Sequence, residues 1–147
     1  MAQELLELSF IKENVHGEYG DSYLPIDYQA LGRYCIEKDT TGVLTVYENL
    51  DSIVNNNIKV KDSYIVEYNK HQPKPDLNGV DAGAAVYKKE LLQYIPETIP
   101  EGQRISLEID IYPKLIIQHQ LVSYMTNIRF YDMGTPERIK IISEVLK

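Results

Sequence analysis

Three aspartates stand beside or near a glycine: Asp21 in G-D-S-Y-L, Asp81 in V-D-A-G and Asp132 in Y-D-M-G-T. Carboxylate oxygens are preferred ligands of Mg²⁺, and the ion in turn binds phosphate oxygens. A neighbouring glycine lets a ligand come close to the backbone. Ligands of open α/β sheets collect beyond the carboxyl ends of strands, which is where we expect these aspartates to lie. Two of them brought together would form a magnesium site.

Each candidate also has a purely structural interpretation. Asp21 could be a turn residue, and Asp132 could simply precede the helix start formed by Thr-Pro-Glu. Glu108 in S-L-E-I-D could be a first-turn glutamate that the helix dipole favours. Lys70 in E-Y-N-K could be a solvated lysine, and Gly83 could be a glycine needed for packing. Spacing alone leaves both interpretations open for every one of these residues.

Composition limits the class of partner. The 147 residues contain 22 acidic and 15 basic side chains, which gives a net charge of -7. Such a chain is a poor candidate for non-specific binding to nucleic acid, because that binding depends on Lys and Arg. Nucleotides remain possible ligands, since backbone N–H groups and Mg²⁺ can hold their phosphates. The length suits one domain with a substantial core.

Cysteine usage and hydropathy narrow the class of protein further. Cys35 is the only cysteine, so we expect no internal disulfide and no cysteine-based metal site. Its place on the apolar face of a predicted helix indicates a core residue rather than a nucleophile. No apolar run approaches the roughly 20 residues that a membrane span needs. The acidic amino terminus does not look like a signal peptide, so we expect a cytoplasmic protein without membrane contact.

Apolar periodicity predicts alternating helices and strands. Asp27 is a suitable N-cap for a helix in which Leu31 and Cys35 share one face. Residues 42–47 form an apolar, β-branched run typical of a buried strand, and residues 57–68 alternate as in a hairpin. The other predicted elements are a strand at 80–87, a helix at 88–95, a helical stretch from Leu107 in which Pro113 marks a kink or a new first turn, strands at 121–125 and 128–132, and a final helix capped by Thr135. This alternation predicts an α/β fold with a partly parallel, mixed sheet and flanking helices.

The order of the short motifs resembles one enzyme family, although each motif alone is common. Along the chain come G-D, Y-x-K after the hairpin, D-A-G on a strand, S-L-E-x-D, and D-x-G-T-P-E before the last helix. This order resembles the C-terminal two-thirds of the sugar-phosphate nucleotidyltransferases, and most of all their heptose/mannose-1-phosphate guanylyltransferase-like branch. The resemblance covers about residues 20–147. It implies a Rossmann-like nucleotide-diphospho-sugar transferase fold that transfers a nucleotidyl group from a nucleoside triphosphate to a sugar 1-phosphate and releases pyrophosphate.

The resemblance implies catalytic roles for three residues. Asp21 and Asp132 match the two aspartates that hold Mg²⁺ in the family, and Lys70 matches a lysine that contacts the sugar phosphate. Thr135 falls in the turn beside the metal and is a candidate substrate contact. A divalent ion and a lysine at these positions would offset charge at the α-phosphorus during attack by the sugar phosphate.

Other positions match the sugar-binding part of the family. Tyr68 belongs to the Y-x-K motif, and Asp81 and Gly83 match the segment that lines the sugar pocket. Glu108 matches a glutamate that bonds sugar hydroxyls. Carboxylates suit this role because they accept charge-assisted hydrogen bonds. The implied ligands are therefore a sugar 1-phosphate and a nucleotide.

One motif of the family does not occur in this sequence. None of the eight glycines begins G-x-G-T-x-x-R, the loop that cradles the triphosphate in the family. We therefore expect residues 1–147 to form a single, N-terminally truncated nucleotidyltransferase domain, whose open sheet edge favours self-association or a partner chain. The alternative is a non-catalytic remnant that binds a sugar phosphate or acts as an interaction module.

Overall fold

The computed structural model describes residues 22–23, 25–52, 54–128, 131–132, 140 and 143–144, and it describes only the backbone of residues 22–23 and 131–132. The elements in chain order are β1 (Ser22–Tyr23), α1 (Tyr28–Lys38), β2 (Gly42–Tyr47), β3 (Ile58–Lys61), β4 (Tyr64–Tyr68), β5 (Val80–Tyr87), a 3₁₀-helix (Lys89–Tyr94), a π-helix (Leu107–Ile111), α2 (Tyr112–Ile117), β6 (Leu121–Thr126) and β7 (Tyr131–Asp132).

Five strands form one mixed sheet in the order β3-β4-β6-β2-β5. The central pair, β2 and β6, is parallel, and the other neighbours are antiparallel. Strands β1 and β7 form a separate two-stranded antiparallel sheet. The predicted α/β class with a partly parallel sheet and flanking helices is confirmed.

The first helix forms because its start is capped and one of its faces is apolar. The Asp27 carboxylate accepts hydrogen bonds from the backbone N–H groups of Gln29 and Ala30 at 3.0 and 3.1 Å, which satisfies donors that a helix start leaves unpaired. Leu31 and Cys35 are fully buried against the sheet. Cys35 belongs to a core cluster with residues of the sheet, so the prediction that it is a core residue is confirmed; the same burial raises the pKa of its thiol.

The core lies on both faces of the sheet. Strand β2 is buried at all six positions, as expected for a strand covered on both sides. On one face Leu44 and Val46 pack with residues of the π-helix and α2. On the other face Val43 and Tyr47 pack with residues of α1. The face covered by the π-helix and α2 carries the candidate site described below.

A bulge interrupts β5 opposite the centre of β2. Leu44 pairs with Ala85 and Val46 pairs with Asp81, so residues 82–84 of β5 lie opposite the single residue Thr45. A bulge of this kind bends the strand and redirects its side chains. Gly83 has a φ of +88° inside this bulge, a conformation that glycine adopts without the steric cost of a Cβ atom.

The helical predictions differ from the structure in detail. The predicted helix at 88–95 is a 3₁₀-helix, and the stretch from Leu107 begins as a π-helix before α2. Pro113 lies in the first turn of α2, where a missing N–H costs little. Of the predicted final helix, residues 140, 143 and 144 are described and are helical. Within the described part of the chain, no helix is both long and apolar enough to span a membrane.

Candidate functional site

The end of β4 and the start of β5 are held side by side by the residue that begins β3. Ile58 pairs with Tyr68 across the hairpin and forms a bridge to Gly79. Gly79 fits there because a Cβ atom would lie 2.4 Å from a methyl carbon of Val46. Tyr68 and Asp81 are therefore brought together although the loop at 69–79 separates them in the sequence.

Four of the residues predicted from the motifs meet at this point, and we name them the tyrosine–carboxylate cluster: Tyr68, Lys70, Asp81 and Glu108. The Tyr68 hydroxyl lies 2.8 Å from Oδ2 of Asp81 and 3.3 Å from Oε1 of Glu108. The other Glu108 oxygen lies 3.5 Å from Nζ of Lys70. The side chains of Lys70 and Glu108 are 27% and 15% exposed, so water screens this ion pair less than it screens a surface pair.

The Asp81 carboxyl group lies in an unfavourable environment for a charge. Burial raises its pKa, and the nearby Glu108 carboxylate raises it further. Hydrogen bonds from the Gly83 N–H at 2.9 Å and from the Tyr68 hydroxyl act in the opposite direction, as does the charge of Lys70. Since burial is the largest of these effects, Asp81 holds a proton more readily than an ordinary aspartate does.

The bulge in β5 creates part of this environment. It allows the backbone N–H of Gly83 to turn back to Oδ1 of Asp81, two residues earlier. The Asp81 side chain is thereby fixed from two sides, by Gly83 on one oxygen and by Tyr68 on the other. A side chain fixed in this way can present a defined acceptor to a ligand without losing further rotamer entropy on binding.

Two buried tyrosines support the ring of Tyr68. Its ring meets the edge of Tyr112 with centroids 5.2 Å apart, at an interplanar angle of 61°, an arrangement favoured for aromatic pairs. The hydroxyls of Tyr112 and Tyr87 are hydrogen-bonded to each other. Because Tyr112 begins α2 and Tyr87 ends β5, the helix and the strand together set the position of Tyr68.

Asn57 is a site residue that the sequence analysis did not identify. Its side-chain Oδ1 accepts a hydrogen bond from the Asp81 N–H at 2.9 Å. Its backbone carbonyl accepts another from the N–H of Asn69 at 2.7 Å, immediately before Lys70. The asparagine run at 55–57 indicates only a turn before the hairpin, and no local signal reveals that its last member reaches Asp81.

The position of Asp81 differs from the one expected. We expected it beyond the carboxyl end of a strand, whereas it is the second residue of β5. Since β5 runs antiparallel to β2, its amino end lies at the edge where β2 ends, and Asp81 pairs with Val46. The residue therefore lies at the expected end of the sheet, where β2 finishes, but on a strand that begins there.

The predicted metal-binding aspartates are described only in part. Asp132 is the last residue of β7, and its backbone pairs in register with that of Ser22. Asp21 and Thr135 lie outside the described residues. Within the described ranges, no group of three or more His, Cys, Asp or Glu side chains is arranged to hold a metal ion. The magnesium site at Asp21 and Asp132 therefore stays a prediction.

The arrangement of the tyrosine–carboxylate cluster suits a ligand that is both hydroxylated and anionic. Asp81 and Glu108 offer acceptors for hydroxyl groups, and Tyr68 can donate or accept. Lys70 offers a positive charge at the side of the cluster. Because few polar groups converge on one partly buried point, the geometry resembles that of small-molecule sites more than that of a surface salt-bridge network.

Comparison with known proteins identifies relatives by structure and not by sequence. No protein-family model matches the chain, and no curated protein matches it in sequence. One of these structural relatives is a Bacillus anthracis structure that carries the name glucose-1-phosphate thymidylyltransferase and was solved with a sucrose. It superposes on this chain with a TM-score of 0.69 at 15% sequence identity. The superposition covers 86% of this chain and 51% of that one.

A second relative by structure is HddC from Yersinia pseudotuberculosis. It superposes with a TM-score of 0.61 at 19% identity, covering 87% of this chain and 53% of that one. Its complex with GMP-PN gives the same TM-score at 18% identity. The chain thus has the Rossmann-like mixed α/β fold of sugar nucleotidyltransferases, and it spans about half the length of the solved structures that it matches.

Proposed function

We propose that the chain carries the sugar-phosphate half of a sugar-1-phosphate nucleotidyltransferase site. The observation that carries this proposal is the convergence of Tyr68, Lys70, Asp81 and Glu108 at one point of a nucleotidyltransferase fold. The motif order alone implied sugar and phosphate contacts at these residues. Their meeting in space is support that does not depend on any one motif.

The sugar would be held by the carboxylates. Glu108 and Asp81 accept hydrogen bonds from sugar hydroxyls, and Gly83 lies where a ligand can approach the backbone. When a ligand hydroxyl donates to one of the two carboxylates, the Tyr68 hydroxyl donates to the other. Lys70 lies 3.5 Å from Glu108, so its ammonium group can face a phosphate joined to the same sugar.

The reaction is an in-line exchange at the α-phosphorus of a nucleoside triphosphate. An oxygen of the sugar phosphate forms the new bond to that phosphorus, the bond to the β-phosphate oxygen breaks, and pyrophosphate leaves with the bonding electrons. Such a reaction needs positioning and charge neutralisation more than covalent help from the protein. Lys70 would orient the attacking phosphate and offset part of its charge.

Asp21 and Asp132 would hold Mg²⁺, which supplies charge neutralisation between the two phosphate-bearing substrates. Hard carboxylate oxygens fit this ion. The support is the pairing of Asp132 with Ser22, since Ser22 follows Asp21 in the sequence. The backbone of one candidate ligand, Asp132, therefore lies beside the residue that follows the other candidate in the sequence.

The triphosphate half of the site would come from another polypeptide segment. G-x-G-T-x-x-R does not occur among these 147 residues, and the chain spans about half the length of the solved structures that it matches. We propose that residues 1–147 act as one partial domain and associate with a second copy or a partner chain; because a second copy has the same sequence, the triphosphate motif itself would have to come from a segment of different sequence. In the cytoplasm both substrates would be accessible to such an assembly.

The alternative function is binding of a sugar phosphate without turnover. The same tyrosine–carboxylate cluster would serve it, and the missing triphosphate motif favours it for the chain alone. The two functions differ in one measurable outcome, because only the enzyme forms an NDP-sugar when a nucleoside triphosphate and Mg²⁺ are supplied.

Isothermal titration calorimetry with hexose and heptose 1-phosphates tests the shared part of both proposals. We expect binding of at least one sugar 1-phosphate, and a loss of affinity of about tenfold or more in Lys70→Ala and Glu108→Gln, because each removes a charge-assisted contact. Lys74→Ala is the matched control, since Lys74 pairs with Glu67 outside the cluster. If no sugar 1-phosphate binds, or if Lys74→Ala weakens binding as much as Lys70→Ala does, the proposed site is wrong.

A further inference from the structure

The backbone that carries Glu108 has an unusual local structure. Residues Leu107–Ile111 form a π-helix, which ends with a hydrogen bond from the Tyr112 N–H to the Leu107 carbonyl. A π-turn is wider than an α-turn, is rare, and often occurs at functional sites. Leu107, Ile111 and Tyr112 are all buried here. The wide turn lets these three side chains reach the core while Glu108 reaches Tyr68.

A closed set of hydrogen bonds surrounds this turn. The Ser106 hydroxyl accepts a hydrogen bond from the Ile109 N–H at 3.3 Å, and the Asp110 carboxylate accepts one from the Ser106 N–H at 2.8 Å. The Ser106 carbonyl accepts the Asp110 N–H, also at 2.8 Å. We name this set the Ser106–Asp110 cap. It resembles a capping box, but its acidic member comes four residues after the serine instead of three.

The cap encloses the residue that contacts the site. Ser106 and Asp110 flank Glu108 by two residues on each side, and both flanking residues bond to each other. Asp110 and Ile109 are exposed, so neither gains much from burial. The hydrogen bonds of the cap, rather than the burial of these two side chains, therefore hold the backbone dihedrals between Ser106 and Asp110. These dihedrals set the direction in which the Glu108 side chain leaves the backbone.

We infer that Asp110 is a positioning residue for Glu108: it closes the Ser106–Asp110 cap, and the cap aims the Glu108 carboxylate at Tyr68 and Lys70. The inference deepens the proposed function, on which it rests for the identity of the ligand, but the positioning itself is a property of the protein without ligand. An ordinary helix cap would stabilise the turn without affecting the contact between Glu108 and Tyr68.

The test observes that contact directly. The chain is labelled with ¹³C at the Cζ atom of its 12 tyrosines, and the Tyr68 resonance is assigned as the one lost in Tyr68→Phe. Glu108→Gln marks the resonance position after the carboxylate is removed. We expect Asp110→Ala to move the Tyr68 resonance by a comparable amount, because the displaced Glu108 no longer meets the hydroxyl.

Asp110→Asn is the matched control, because an amide oxygen can still accept the Ser106 N–H. We expect it to leave the Tyr68 resonance at its wild-type position. Ser106→Ala, which removes the second side chain of the cap, should move the resonance in the same direction as Asp110→Ala. It also keeps the test decisive should Asp110→Ala fail to fold.

A lower melting temperature in Asp110→Ala with an unmoved Tyr68 resonance would show a structural cap only and overturn the inference. A shift in Asp110→Asn as large as that in Asp110→Ala would overturn it too, because the effect would then come from charge. Calorimetric titration of the wild type with sugar 1-phosphates, α-D-glucose 1-phosphate among them, separates this inference from the proposed function. If Asp110→Ala moves the Tyr68 resonance but no sugar 1-phosphate binds the wild type, the positioning role remains and the proposed ligand is wrong.

Discussion

The hydroxyl of Tyr68 lies 2.8 Å from Oδ2 of Asp81 and connects the end of β4 to the start of β5. The same hydroxyl lies 3.3 Å from Oε1 of Glu108. A phenol has one proton, so it can donate to one of the two carboxylates at a time. The two carboxyl groups together offer more acceptor positions than the single Tyr68 proton can satisfy, which is a favourable starting point for a ligand rich in hydroxyl groups.

Replacing Asp81 with asparagine should stabilise the folded chain at pH 7, by on the order of 1 kcal/mol, because the substitution removes a charge that burial disfavours. An asparagine oxygen can still accept the Gly83 N–H, and its amide can donate to the Tyr68 oxygen. The measurement is the free energy of unfolding from urea titrations of the wild type and Asp81→Asn.

The pH dependence of that difference has a definite sign. The folded-state pKa of Asp81 is raised above the ordinary value of 3.8, so the folded state binds the proton more tightly than the unfolded state does. Wild-type stability from this group therefore falls as pH rises from 3.8 through the raised pKa. The advantage of Asp81→Asn should be small near pH 4 and reach its full value above the folded pKa.

Asp76→Asn is the matched control for Asp81→Asn. The hydrogen bond from Lys59 lowers the pKa of Asp76, so its contribution is present above the ordinary aspartate pKa and is lost as pH falls. We expect Asp76→Asn to give no stabilisation at pH 7. An Asp81→Asn chain that is less stable than the wild type at pH 7, or equally stable at every pH, would contradict the predicted environment of Asp81.

Replacing Tyr68 with phenylalanine should destabilise the fold by about 1 kcal/mol, because a partly buried hydrogen bond is lost while its acceptors remain. The pKa of Asp81 should rise further, since the Tyr68 hydrogen bond is one of the effects that lower it. Carboxyl ¹³C titration by NMR measures that pKa. Tyr64→Phe, at an exposed position of the same strand, should leave both the stability and the Asp81 titration close to wild type.

Replacing Asn57 with alanine should destabilise the chain by about 1–2 kcal/mol, because the Asp81 N–H loses its acceptor while it stays partly buried. Sugar phosphate affinity should fall as well, since Asp81, a proposed sugar contact, loses a hydrogen bond that fixes its backbone; the Asn57 carbonyl that accepts the Asn69 N–H is retained in the variant. The control is Asn55→Ala at an exposed position two residues earlier. Equal effects of the two substitutions on unfolding and on calorimetric affinity would show that Asn57 has no special role.

Local signals predicted the helix and hairpin because neighbouring residues decide them. Asp27 caps α1 through N–H groups two and three residues away, and β3 and β4 pair across a short turn. The site residues followed from motif order, and the structure brings Tyr68, Lys70, Asp81 and Glu108 together. Their roles in binding stay predictions, since proximity alone does not assign a ligand.

Features that depend on distant parts of the chain were not predictable in the same way. The bulge around Gly83 depends on the pairing of β5 with β2 on both sides of Thr45, and the π-helix from Leu107, together with its C-cap residue, is packed through three side chains into a core built from distant strands. The link from Asn57 to Asp81 joins residues on either side of the whole hairpin. No window of the sequence contains both partners of these interactions.

The edge strand β5 should mediate association of the chain. Among the described strands β5 has a neighbour on one side only, and its eight residues contain a single charged side chain, Asp81. Unpaired edges of this kind favour pairing with another strand, whereas lysines such as those of β3 discourage it. We expect sedimentation velocity to show a mass that rises with protein concentration.

Amide hydrogen exchange locates the contact. Outward N–H groups of β5 should become protected as concentration rises, and those of β3, at the other edge of the sheet, should not. A single monomeric species over a hundredfold concentration range, with unchanged exchange in β5, would show that this edge does not recruit a second chain.

The backbone pairing of Asp132 with Ser22 leads to the last prediction. If Asp132 and Asp21 hold one divalent ion, alanine at either position should weaken binding of Mn²⁺, used as a paramagnetic substitute for Mg²⁺, by about tenfold or more, because each carboxylate supplies both charge and a ligand atom. Electron paramagnetic resonance of free Mn²⁺ in a titration measures the affinity without any nucleotide.

Asp51→Ala, at an exposed position, controls for the loss of one negative charge from an acidic chain. Weakening by Asp132→Ala that does not exceed that of Asp51→Ala would mean that Asp132 ends β7 for structural reasons alone, and the magnesium proposal would have to be abandoned while the sugar-phosphate site at Tyr68 and Lys70 remained.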